Sequence, residues 1–436
     1  MMAQQQAEVH AFHSLLESHY QQVASEDSLK KVRAKAWELY NHVGLPTKKA
    51  EVFRYIPLRQ LFAQTYHAAH PTLINLDTIA PYIYPECRQS VLVFVNGHFA
   101  PQLSNTQALP DRIEISSLQD AMGTYSSFLN NHWTKAMKEE TDAFACANVA
   151  LHRDGAFIYV TPKTIVDAPV QVLHVIDTQD KTMLMMPRLH VFVGAHAQLN
   201  LFSSSIQISG SGYCVNQVAD LHLEEGARLH YSQLNNNLAS EAWHLEALRA
   251  HLKRDSVLNT VSVTTGSNTI RQDYRVVLAG ENSEAFLNGV CMLNDKRESH
   301  TNILIEHQAP HCRSNQLFKG VLNDFARSSF EGKIYVHQAA QKTEAFQLNK
   351  NLLLSDRAHA DSKPNLEIFA DDVKATHGAT MGQLDSEQLF YMRARGIPDA
   401  EAKNLLIYGF CQEVLDKCIL PSLHLNLSKQ AKSYLS

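Results

Sequence analysis

The chain has 436 residues, of which 45% are apolar and 19% charged, and carries a formal net charge of −5. That length supports two or three structural units around a buried core. The charge balance excludes a strongly basic nucleic-acid surface and a polybasic membrane face, and no apolar run approaches the roughly 18 to 20 residues that cross a bilayer.

The N-terminal stretch "MMAQQQAEVHAF" lacks a basic segment followed by an apolar one, so neither a secretory signal nor an Arg-rich transit peptide is expected. Val9, Phe12, Leu16, Tyr20 and Val23 recur at steps of three and four, which predicts a first helix. The stretch "SEDS", Ser25–Ser28, offers caps for a second helix through Val32, Ala36 and Tyr40, punctuated by Gly44 and Pro46. In the following "GLPTKKAEVFRYIPL", the aromatic pair Phe53/Tyr55 predicts a segment tied down against the body.

From about Gln89 the period changes. "QSVLVFVNGHF" predicts a short strand ended by an Asn-Gly turn. After "GAFIYVTP", tracts of period-two alternation dominate, each opened by a small or polar turn: "GAHAQLNLFSSS", "GARLHYSQLNNN", "DSVLNTVSVTTG", "NSEAFLNGVCML", "ARSSFEGKIYVH" and "KTEAFQLNKNLLL". The first four start at Gly194, Gly226, Asp255 and Asn282, steps of about 27 to 32 residues, and the later ones follow more tightly. Short strands at a loose period without crossover helices favour a β-solenoid over a sandwich, although alternation by itself fits both. The "SSS" and "NNN" tracts are expected as polar ladders at the corners.

At Asp385 the helical period returns. Asp385 with Gln388 has capping-box spacing, Gly396 stops the first helix, and Pro398, Asp399 and Glu401 open a second with a Leu406–Phe410–Val414 stripe. Two helices this short and apolar must dock on the body or on a partner.

The seven cysteines (Cys87, Cys146, Cys214, Cys291, Cys312, Cys411 and Cys418) are scattered and form no CxxC. This argues against a disulfide framework or a self-contained zinc or iron–sulfur site, and for a reducing compartment, the cytoplasm. "SGSGY", Ser209–Tyr213, is too short for a phosphate loop and reads as a turn. His67 and His70 of "YHAAH" read as an accidental pairing among 23 histidines. "EHQAPHC", with Glu306, His307, His311 and Cys312, is the densest set of metal-capable side chains and could form a transient metal or persulfide-handling patch, but a loop whose spacing is set by a turn at Pro310 is the favoured reading. Asp356, Asp361, Asp371 and Asp372 would serve a polysaccharide lyase, yet Lys363 and Lys374 interleave with them, and solvated corner charges are the simpler reading.

One histidine stands apart. His377, in "ATHGAT", lies between Thr376 and Gly378 where strand patterning gives way to helix signals. It is either a hydrogen-bonded residue at the solenoid cap or an imidazole on a platform of small residues that a second chain can approach. A neutral imidazole suits iron, but one histidine cannot hold a cluster, so the second reading requires thiolates from a partner.

The run "NKNLLLSDRAHADSKPNLEIFADDVKATHGATMGQLDSEQLFYMRARGIPDAEAKNLLIYGF", with "GLPTKKAEVFRYIPL" and "SNQLFKGVLNDFARSSFEGKIYV", resembles the SufB/SufD family of iron–sulfur cluster assembly proteins, the SufD branch in particular. The resemblance implies a mainly β fold: a right-handed parallel β-helix over 136–380 between an N-terminal helical region, 1–135, and a C-terminal helical SufC-binding domain, 381–436. It implies a non-catalytic subunit of a complex with the paralogue SufB and the ABC-type ATPase SufC, and a homodimer for the isolated chain. No cofactor is then held by this chain alone; iron or the nascent cluster is bound transiently in the complex, for which flavin is a candidate. His377 becomes a candidate cluster ligand at the SufB–SufD seam. Leu389, Phe390, Tyr391, Arg393, Arg395, Gly396, Ile397, Leu405 and Leu406 become the SufC-docking segment. The B branch carries a cysteine in the coil matching "FQLNKNLLLS"; here none lies between Cys312 and Cys411, and Ala375 stands where some relatives have a cysteine. The chain therefore reads as the accessory paralogue.

Overall fold

The alternating tracts fold into two long sheets wound together as a parallel β-solenoid of about eight coils. The computed structural model describes residues 2–23, 29–179, 181–210, 212–236 and 238–435. The proposed "SEDS" cap, residue 211 of "SGSGY" and residue 237 of "NNN" lie outside these.

Each coil contributes one strand to each sheet. The ten-stranded sheet stacks Gln198–Ser209, Arg228–Asn235, Val257–Thr264, Glu284–Leu293, Arg313–Leu322, Thr343–Leu353 and Val373–Gly382 in parallel register. The eleven-stranded sheet stacks Gly212–Leu223, Glu241–Leu252, Thr269–Leu278, Glu298–His307, Arg327–Val336 and His359–Ile368 in the same way. Parallel pairing of successive coils rules out the sandwich, whose sheets would be antiparallel. It also explains the uneven spacing in the sequence: "ARSSFEGKIYVH" belongs to the second sheet, the other five quoted tracts to the first.

The turn before each strand of the ten-stranded sheet has a physical rationale. His196, Gly226, Asp255, Asn282, His311 and Lys342 all have φ between 57° and 65°, and stack at one corner. The residue after each is small and buried: Ala197, Ala227, Ser256, Ser283, Cys312 and Thr343. A left-handed residue reverses the chain, and a small one lets the next coil sit close. The "SSS" tract departs from expectation, because Ser203, Ser204 and Ser205 lie inside a strand, buried, rather than at a corner.

Helices cover the outer face of each sheet. On the eleven-stranded sheet lie Met2–Val23, Lys30–Val43, Leu118–Glu139 and Ala143–Leu151, the last two additional to the predicted elements. Phe12, Leu16, Val32, Ala36 and Tyr40 are buried as their spacing predicts. Phe53 is buried, but Tyr55 is 44% exposed, so only one of the aromatic pair ties that segment down. A buried charge network joins helices to sheet. Asp142 caps Ala143–Leu151 through the Phe144 and Ala145 amides and pairs with Arg271 at 2.5 Å.

On the ten-stranded sheet, Asp399–Leu415 and a third, unpredicted helix, Pro421–Lys432, pack against Val261, Val290, Leu317 and Val321. The buried stripe is Ile407, Cys411, Val414 and Leu415, offset from the predicted one; Leu406 and Phe410 are only half-buried. Lys319 fixes the helix by donating to the Phe410 carbonyl at 2.8 Å and pairing with Glu413 at 2.7 Å.

The solenoid ends differ. One is closed by short antiparallel strands, His98–Phe99 and Ile113–Ser117. At the other, His359–Ile368 and Val373–Gly382 are the outermost strands of their sheets, ten residues each, with no strand paired to their outer sides among the described residues.

Candidate interface site at the open end of the solenoid

Side chains on a strand alternate between faces, so the stacked register fixes which residues point inward. Ala375 packs with Ile334, Ala340 and Ala345 inside the solenoid. His377, two residues on, has the same inward parity. Its register column runs Leu287, Gln316, Gln347, His377, one residue per coil. The first three are buried; His377 is exposed because, among the described residues, no further coil covers the last rung. The ring makes no hydrogen bond or ion pair with any described residue. It is an imidazole at the mouth of an uncapped lumen.

The small neighbours expected to let another backbone approach are present. Thr376, Ala379 and Thr380 are exposed, and Gly378 is half-buried against Leu348. Outward from the same strand, a groove of about 650 Å³ runs past Phe346 and Phe286 to a wall formed by Glu413 and Lys417.

The other candidate ligands are dispersed. His307 is buried and bonded to Ser314 at 2.8 Å; burial pushes its pKa down to about 3, so it stays neutral. His311 is a corner residue, and the Cys312 thiol donates to the Gly280 carbonyl at 3.2 Å, with burial holding it above the usual thiol range. Burial likewise pushes Cys291, Cys411 and Cys418 up to about 12, so these thiols are not poised as thiolates. Asp361 pairs with His359 at 3.3 Å, while Asp356, Asp371 and Asp372 are separate exposed charges. Among the described residues, no three His, Cys, Asp or Glu side chains are arranged to hold a metal ion.

After three intervening residues, 383–385, Ser386–Ala394 forms a helix with no buried residue. Asp385 caps it by accepting from the Glu387 and Gln388 amides, as the spacing predicts. Phe390 is 73% and Tyr391 60% exposed, Leu389 and Ile397 are half-buried, and Arg395 stacks over the Tyr391 ring at 5.1 Å. Arg393 reaches Asp399 at 3.5 Å, and Gly396 closes the helix at φ +84°. Phe390, Tyr391 and Met392, with half-buried Leu406 on the next helix, border an open concavity of about 860 Å³; Leu405 is exposed beside Leu406 but does not line it. Phe390 and Tyr391 are thus adjacent exposed aromatics on a helix that buries none of its residues.

Gln347 was not singled out from sequence. The signal was available: stepping back one coil from His377, 30 residues, lands on it, and a further 31 lands on Gln316.

The family described as "SUF system FeS cluster assembly, SufBD core domain" matches residues 174–410, and "SufBD protein N-terminal region" matches 6–172. An iron–sulfur cluster assembly SufBD family protein of Synechocystis is 32% identical over 411 residues, covering 92% of this chain and 90% of that protein. The iron–sulfur cluster assembly protein SufD of Escherichia coli is 28% identical, over 86% of this chain and 85% of its own. The protein ABCI7, chloroplastic, of Arabidopsis thaliana is 26% identical over 89% and 82%.

Proposed function

The chain belongs to the SufBD family of iron–sulfur cluster assembly proteins, and from that premise we propose that it is the non-catalytic, SufD-like subunit of a cytoplasmic SufB–SufC–SufD complex. In this reading the open end joins the solenoid of a SufB-type paralogue, and the cluster is cargo built at the seam. His377 supplies one nitrogen donor and the partner supplies the thiolates.

The observation that carries this reading is the pair of uncapped ten-residue edge strands at one end of the solenoid, with His377 on the last rung between small residues. Long unpaired edges template pairing with another chain, and a stable protein covers them. A second solenoid stacked in register would continue both sheets and bring its own residue over His377.

The exposed helix Ser386–Ala394 is then the SufC-docking element. Only three residues separate it from the His377 strand, and the following helices are anchored on the same sheet through Lys319. A pull by a closing ATPase dimer would reach the seam through this short path. The chain has no GxxxxGK[ST] motif, so the energy comes from the partner.

Anaerobic co-expression with SufB and SufC partners, followed by iron, sulfide and flavin analysis, tests the complex. His377→Ala should leave the melting temperature of the isolated chain unchanged while lowering cluster yield in cells lacking the native protein. Full restoration of cluster assembly by that variant would remove its ligand role. The double substitution Phe390→Ser/Tyr391→Ser should likewise leave stability within about 0.5 kcal/mol, since neither ring is buried. It should weaken SufC binding at least about 30-fold, the loss of an aromatic hot spot worth about 2 kcal/mol. Unchanged SufC affinity would move the docking site elsewhere.

A further inference from the structure

Below His377 lies an amide that the fold leaves unfinished. Gln347 is 2% exposed and Gln316 fully buried, in an interior otherwise lined by residues such as Leu258, Ala285 and Leu287. The Gln347 Nε2 donates to Gln316 Oε1 at 2.8 Å. That leaves Gln347 Oε1 buried with no donor. The Gln316 Nε2 below it is unpartnered too, so the pair has an open valence at each end; buried polar atoms nearly always find partners, and the upper one faces the last rung.

The register points to its partner. Gln347 is the residue paired with His377, one rung below it and of the same inward parity. Rungs stand about 4.8 Å apart, so a side-chain rotation brings an imidazole N–H over the amide oxygen. Of the flanking inward positions, Ala345, Ala375 and Ala379 have no side-chain donor, and the Asn349 amide is engaged with the Phe318 carbonyl at 3.2 Å. Across the lumen, Gly332 makes room: a Cβ there would stand 1.9 Å from the Gln347 Nε2.

We propose that Gln347 is the positioning residue of His377: its carboxamide oxygen accepts one imidazole N–H, fixing the tautomer and ring plane that leave the other nitrogen free for iron. The ligand half of this statement rests on the reading of His377 given above; the contact between the two side chains does not. Metal-binding histidines commonly donate their second nitrogen to a carbonyl or carboxylate, and removal of that acceptor typically costs 10- to 100-fold in metal affinity or activity.

The test uses the full-length chain labelled with nitrogen-15, with the His377 ring assigned by comparison with His377→Ala. A single ring tautomer is expected in the native chain, giving way to mixed tautomers in Gln347→Leu. Gly332→Ala should do the same by displacing the amide, without altering either partner, and serves if the leucine variant does not fold. An unchanged tautomer ratio in the variants that fold would overturn the contact. In the assembled complex, Gln347→Leu should lower retained iron by 10- to 100-fold, as should His377→Ala. If His377→Ala retains iron fully, the ligand role falls, and the tautomer measurement still decides the contact.

Discussion

Asp273→Ala will destabilise the folded chain by about 3–5 kcal/mol, the usual cost of leaving buried charges without their partner. Asp273 is 1% exposed and sits among three guanidiniums: Arg249 at 2.7 Å, Arg271 at 3.1 Å and Arg275 at 4.0 Å, with Asn302 donating at 2.7 Å. Arg249 also pairs with Glu140 at 2.7 Å, and Arg271 with Asp142 at 2.5 Å. Three carboxylates thus balance three guanidiniums, and removing one carboxylate strands a cation under the helical layer. Arg271 is itself stacked over Phe53 at 4.3 Å, so the loss reaches the 44–58 segment as well. Urea unfolding of the variant and the native chain would measure the difference, and a midpoint shift equivalent to less than 1 kcal/mol would show the network to be dispensable. Amide exchange should locate the loosening in 139–151 and 44–58, leaving the last coils protected.

Acid will unfold this protein well above the pH at which its carboxylates titrate. Burial holds His152, His190 and His222 well below the usual histidine range, and lowers His174 and His230 to about 4 and His307 to about 3. His190 faces Asp220 at 3.5 Å, yet burial and Arg188 keep it neutral, so this contact is not an ion pair at pH 7. The sign follows from the direction of the shifts. A histidine whose folded pKa is depressed takes up its proton more readily in the unfolded chain. Its contribution is fully present above about pH 6.5 and is lost as pH falls toward the folded value. Between pH 7 and 5 each such group costs about 2 kcal/mol, so three or four of them remove about 6–8 kcal/mol, comparable to the net stability of a typical domain. The carboxylates act lower. Burial raises Glu140 and Asp273, but the surrounding arginines outweigh it and hold both below the usual carboxylate range. Their contribution therefore fades only below about pH 4. The melting temperature should be flat above pH 7 and fall steeply from 6.5 to 5; a flat profile down to pH 5 would contradict the buried-neutral assignment.

Local signals carried much of this protein's architecture. The switch from helical to period-two spacing near Gln89 and back at Asp385, the Asn96-Gly97 turn, and the turn-plus-small-residue opening of each coil are all properties of a few neighbouring residues. They depend on backbone sterics and side-chain alternation alone. His377 was legible for the same reason, as an isolated imidazole among small residues at that boundary, together with the run of sequence around it. The assignment of strands to two sheets, the inward parity of His377, the orphaned oxygen of Gln347 and the Asp273 network were not. Each depends on residues 30 to 130 positions apart coming into register, and nothing within one coil records which rung will lie above it. The third C-terminal helix and the burial of the "SSS" tract escaped on the same ground, since burial is decided by what another segment lays on top. Only the stacked structure decided that no described strand pairs with the outer side of the last coil, because an edge is a property of the stacking and not of any residue in the edge strand.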